Sequence, residues 1–176
     1  MPSSSLRFLG IVALLGIAAP ASAYCAGLDK SRPGYPPTYY SLANEFKRAS
    51  YVAIVRAERE TWLGEDGRPK PLRPPFQYGN SRPWGFEDYI GTRFDVRVIQ
   101  TFKGRPQKTL QLFSENSTAR FWLDVGREYV ILATEETFDA PIGRGLTLDT
   151  CGNSPKLRTK AGPMIEKLKS YSRTMR

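Results

Sequence analysis

The chain has 176 residues, with 26 Lys and Arg against 17 Asp and Glu, two cysteines and no histidine, for a formal charge of +9. Lack of histidine removes the commonest general base and metal ligand, so Ser-His-Asp, Cys-His and His-based metallohydrolase sites are excluded. A basic surface favours anionic partners, among them acidic glycans, anionic lipid, nucleic acid and acidic proteins, without choosing between them.

Residues 1–23 read as a cleavable secretory signal. Arg7 supplies the positive flank, residues 8–19 form an apolar run too short for the roughly 20 residues of a membrane span, and Pro20 breaks it. Ala21-Ser22-Ala23 then places cleavage before Tyr24, and no later stretch is apolar enough to span a bilayer. The expected destination lies across the inner membrane, periplasmic or extracellular. Residues 24–176 fit a single domain. Cys25 and Cys151 remain after processing, and an even pair in an oxidising compartment reads as a disulfide. With no histidine and no CxxC, a metal site on this pair is not expected, and no cofactor is implied.

Residues 27–40 are rich in proline, glycine and tyrosine and read as an extended arm. Ser41 is the expected N-cap of a short helix ending near Arg48, with Leu42, Phe46 and Ala49 on one face. Residues 51–55 (YVAIV) give a first, buried strand. Between about 62 and 89 the composition shifts to a Pro/Gly/aromatic-rich insertion of the kind that is either functional or covers a sheet edge. Its aromatics Phe76, Tyr78 and Trp84 lie among the cations Arg68, Lys70, Arg73 and Arg82. From Thr92 the alternation of Phe94, Val96 and Val98 marks a strand, residues 103–106 a turn, and residues 109–113 the next strand. After a polar connection come Phe121-Trp122-Leu123, a turn at 124–126, an apolar strand over 128–134 and a last strand over 146–151. Pro163 opens a closing helix with Met164, Ile165, Leu168 and Tyr171 in an apolar stripe. Five or six short strands with flanking helices point to a mainly β barrel or sandwich.

No sequence motif frames a catalytic centre: there is no nucleophile elbow, SxxK, P-loop or dinucleotide fingerprint. The paired carboxylates Glu65-Asp66, Glu87-Asp88 and Glu135-Glu136 read as solvated surface. A non-enzymatic role follows.

In order, a cysteine just after the signal, EFKRASYVAIVRAE, a long variable loop, TRFDVRVIQTFKG, VGREYVILA and DTCGNSPKL before a terminal helix resemble the netrin-module, or tissue inhibitor of metalloproteinases-like, proteins, particularly short bacterial members. The likeness runs over residues 25–171, apart from the insertion. It implies a five- to six-stranded OB-fold-like barrel plus a C-terminal helix, with Cys25 and Cys151 tying the N-terminal segment down. It also implies a binding module whose partner is a protein, a protease being one candidate, contacted by Tyr24, Cys25, Ala26, Phe76, Tyr78 and Trp84. In the family's inhibitors an N-terminal cysteine chelates the protease zinc; here Tyr24 precedes Cys25 and Gly27 stands where a second cysteine belongs, which weakens that mechanism unless cleavage falls after Tyr24. The alternative is a basic barrel that holds an acidic glycan, or less readily single-stranded nucleic acid, on Arg68, Lys70, Arg73 and Arg82.

Overall fold

A computed structural model describes residues 41–71, 89–117 and 120–175. Helix α1 (Leu42–Arg48) starts where Ser41 Oγ accepts the Asn44 N–H at 3.3 Å, satisfying one of the donors that a first turn leaves open. Its C-terminal carbonyls are held by a cation: Lys103 Nζ donates to the Phe46 and Lys47 oxygens at 2.8 and 2.7 Å. Burial lowers the Lys103 pKa from its ordinary value.

Six strands follow: β1 (Tyr51–Gly64), β2 (Tyr89–Lys103), β3 (Thr109–Glu115), β4 (Glu128–Thr137), β5 (Arg144–Leu148) and β6 (Lys156–Leu157). β1 pairs antiparallel with β2 along most of its length and with β4 through residues 51–56. β2 pairs with β3, β3 with β5 in parallel, and β5 with β4, so five strands close a ring in the order β1-β2-β3-β5-β4, while β6 adds to β4. A 3-10 turn (Arg158–Lys160) leads into α2 (Gly162–Thr174), with Pro163 in its first turn.

Both faces of β1 are buried at its start, which explains the unbroken apolar run. Tyr51, Ala53, Val55 and Ala57 face the ring interior with Phe94, Val96, Leu112 and Ile131. Val52 and Ile54 face outward into a second core with Phe46, Leu132, Met164 and Leu168 from β4 and the two helices. The apolar stripe of α2 therefore covers the outside of the β1–β4 half of the ring. At the β2–β3 turn Gly104 has φ +98°, and a Cβ there would stand 2.5 Å from the Tyr51 ring; only glycine fits.

Several boundaries differ from the sequence expectation. β1 runs on past Val55 to Gly64, so Trp62, expected at the start of the insertion, is a buried strand residue. Likewise Tyr89, its expected end, opens β2. The last long strand covers Arg144–Leu148 rather than 146–151. Residues 149–152 turn instead, because Asp149 Oδ1 accepts the Cys151 N–H at 3.0 Å and its carbonyl accepts the Gly152 N–H at 3.2 Å. This is the local side-chain competition by which Asp favours turns. Among the described residues no helix is long and apolar enough to cross a membrane. Residues 1–40, over which a signal and an extended arm are expected, and residues 72–88 of the expected insertion lie outside the described residues.

Candidate functional site

On β2, the inward Phe94 and Val96 alternate with Arg93, Asp95 and Arg97, which the two-residue period of a strand sends to the outer face. Strand register decides what each of these charges meets. Asp95 lies opposite Arg59 of β1 and Gln111 of β3. Both of its oxygens are engaged, one by Arg59 Nε at 2.7 Å and the other by Gln111 Nε2 at 2.9 Å. Arg97 faces Arg56 in register, but the shift between Ala57 and Arg59 inserts Glu58, whose Oε1 accepts Arg97 Nε at 2.8 Å. Bulges commonly re-aim a side chain in this way.

Arg93 receives no such partner. Its neighbours across the ladder are Thr61 and Phe113, neither of them acidic. The side chain is half-buried, and its Nε is buried without a hydrogen-bond partner. A desolvated donor left open costs about 1–3 kcal/mol, more when charged.

Arg93 lies in a cleft of about 790 Å³ whose lining includes three arginines, Arg59, Arg93 and Arg144, against the single carboxylate of Asp95. One wall is the turn after β1, the other the β4–β5 connection. These walls touch: a Cβ on Gly67, at φ +72°, would lie 2.7 Å from Pro141 Cγ. Phe113 is pinned against Phe138, ring centroids 4.8 Å apart and nearly perpendicular, which fixes the floor. Arg144 pairs with Glu135 at 3.0 Å, both well exposed, an ion pair that a competing anion displaces at little cost.

A second cavity, of about 350 Å³, has the opposite character. Glu45, Glu115, Glu136 and Asp149 line it with Arg48. Glu45 is only 6% exposed. Its oxygens accept the backbone N–H and side-chain amide of Asn153, each at 2.9 Å. Burial raises the Glu45 pKa above its ordinary value; the Asn153 donors oppose this, Asp149 adds to it and Arg48 subtracts. Those contacts make Glu45 the latch between α1 and the 149–153 turn. Among the described residues no group of three or more His, Cys, Asp or Glu is placed to hold a metal ion.

Of the residues singled out from sequence, Arg68 and Lys70 flank the Gly67 wall without lining the cleft. Both are exposed, and Arg68 Nε stands 3.7 Å from Asp66. Cys151 is not a free thiol; Cys25, the other end of the expected bridge, lies outside the described residues. So do Tyr24, Ala26, Arg73, Phe76, Tyr78, Arg82 and Trp84. The Glu135-Glu136 pair, expected as solvated surface, is exposed, with Glu135 ion-paired to Arg144 and Glu136 lining the acidic cavity. Sequence reasoning missed Arg59, Arg93, Asp95, Gln111 and Arg144. The alternation in RFDVRV puts the β2 charges on one face, but only the register tells which of them lacks a partner.

The chain matches no protein-family model and no curated protein.

Proposed function

We propose that the chain is an exported, non-enzymatic binding module of the netrin-like kind, and that it takes a negatively charged ligand in the cleft over β2 and β3. A five-stranded ring closed by a parallel β3–β5 contact and a terminal helix packed outside it support the OB-type reading. In such barrels the face of strands 2 and 3, between the first and fourth connecting loops, is where extended ligands bind. The cleft walls come from those two connections. The observation that carries the ligand's charge is Arg93, half-buried in this cleft, with a buried Nε that has no hydrogen-bond partner and no acid opposite it on either neighbouring strand. An anion in the cleft would meet the partly exposed guanidinium, which favours planar, bidentate partners such as carboxylate.

The test compares two double variants of equal charge for retention on immobilised dextran sulfate and on poly-glutamate across a salt gradient. Arg93→Ala/Arg144→Ala removes cleft cations, whereas Lys167→Ala/Arg173→Ala removes exposed cations of α2. The cleft variant should elute at clearly lower salt than the helix variant on at least one of the columns. Equal losses on both would mean that net charge alone does the binding, and would sink the proposal.

A further inference from the structure

The ring is weakest at one seam. On β2–β3, Val98 N–H donates to Lys108 O and Asn116 N–H to Ile90 O, both at 2.9 Å. Both pairs continue the register of the ladder, in which Phe94 faces Leu112. Hydrogen-bonded pairs alternate along an antiparallel ladder. Residues 108, 110, 112, 114 and 116 therefore turn their backbone groups toward β2, and residues 109, 111, 113 and 115 turn theirs away. On that far edge β5 meets β3 at one register position, Leu112 with Leu146. A parallel bridge there engages the Gln111 carbonyl and the Phe113 N–H. Among the described residues no strand lies beside the N–H and C=O of Thr109 or the N–H of Gln111, and both residues are exposed. This open edge borders the cleft: residues 109–113 form one side, Arg144, Gly145 and Leu146 the other.

We infer that the open edge of β3 at Thr109 and Gln111 docks an extended segment of a protein partner, alternating acidic and apolar residues, which adds to the sheet as a strand. The inference rests on the reading of the cleft as an anion site and names the ligand. Unpaired edge groups are a template for strand addition. Side chains of an added strand alternate between two environments. On one face they meet the outer row of β2 with Arg93, which suits Glu or Asp. On the other they meet Leu110 and Leu146, which line the cleft from the core side and suit Val or Ile. A sulfated or uronic glycan satisfies the arginines but offers neither the backbone donors and acceptors nor the apolar alternation.

The probe is an end-capped octapeptide of alternating Glu and Val, used with the full mature chain. Its controls are the Lys-Val counterpart and a Glu-Val peptide N-methylated on alternate residues. The Glu-Val peptide should slow amide exchange at Thr109 and Gln111 at least tenfold, and either control should bind at least tenfold more weakly. Thr109→Pro removes a donor that no ladder bond uses, at the first residue of a strand where proline is tolerated. It should weaken the Glu-Val peptide at least fivefold with its unfolding temperature unchanged. Undiminished binding of the N-methylated peptide overturns strand addition, as does Glu-Val binding without protection of the two amides. Full protection of those amides before any peptide is added also overturns it, because a segment of the chain itself then holds the edge. If the arginine-dependent retention described above persists in any of these cases, only the strand-addition step has failed; if it is absent too, the cleft reading has failed as well.

Discussion

Replacing Glu45 by glutamine tests whether burial or hydrogen bonding rules the acidic cavity. The carboxylate is buried, gripped by two Asn153 donors, and backed so closely by Gly152 that a Cβ there would lie 2.8 Å from Oε1. Because the folded pKa is raised, with burial the largest cause, the folded state holds the proton more tightly than the unfolded state does. The sign follows from linkage: below the ordinary value of 4.5 both states are protonated and nothing is lost, and as pH rises through the raised folded pKa the ionised form costs stability. Glutamine imitates the protonated form, and Asn153 can turn its amide to offer an acceptor. Glu45→Gln should therefore lie within about 1 kcal/mol of the parent at pH 7, and the parent should gain on the variant as pH falls toward 4.5. Alanine is different, since it orphans a backbone donor at about 1–3 kcal/mol and gives up burial of about 0.8 kcal/mol per methylene. A loss of about 3 kcal/mol is expected there. Urea titrations from pH 4 to 8 measure all three proteins. If the parent instead gains on Glu45→Gln as pH rises above 4.5, the Asn153 donors outweigh burial and the reasoning is wrong.

Leu168 is fully buried between α2 and the outer faces of β1 and β4, so Leu168→Ala should cost about 2–5 kcal/mol in chemical denaturation. Ser114 Oγ both donates to Phe121 O at 3.0 Å and accepts Phe121 N–H at 2.9 Å. Ser114→Ala leaves a buried donor and acceptor open and should cost about 2 kcal/mol, with faster amide exchange at Phe121. Arg93→Met removes the buried Nε that lacks a partner while keeping most of the side-chain volume. It should raise stability by about 1 kcal/mol and weaken dextran sulfate retention; a destabilised variant with unchanged retention would show that Arg93 serves packing alone.

Both helices were legible because their signals are local. Ser41 caps α1 and Pro163 opens α2, and the Met164, Leu168 and Tyr171 spacing needs no knowledge of the rest of the chain. The second half of β1 was not legible: in RAERETW the charges at Arg56, Glu58 and Arg59 occupy an exposed outer face, and the bulge at Glu58 breaks the two-residue period. The expected strand over 146–151 stops at Leu148, because Asp149 and Gly152 carry turn chemistry. β6, two residues long, has no pattern to find. At the candidate site, the cations of the insertion stand out because Arg68, Lys70, Arg73 and Arg82 fall within one stretch of sequence. The cleft arginines Arg59, Arg93 and Arg144 come from three strands, and only pairing brings them together.

Composition alone does not explain why one arginine is left over. The outer row of β2 reads Arg93, Asp95, Arg97, and each charge meets whatever register puts beside it. Arg97 would face Arg56, yet the bulge delivers Glu58; Asp95 is matched on both sides. The same ladder sets Arg93 between Thr61 and Phe113. A threonine hydroxyl and an aromatic ring do not neutralise a guanidinium. A fold that uses a bulge to match one arginine, and an aspartate to match another two positions away, leaves a third unmatched where two loop walls meet over a cleft. Natural sequences break local consistency of this kind mainly at functional positions. Spreading excess charge for solubility calls for exposed lysines, not a half-buried arginine with its Nε closed to water. That leftover charge is what the proposed anion site rests on, and a ligand carrying a carboxylate into the cleft is the partner the proposal names.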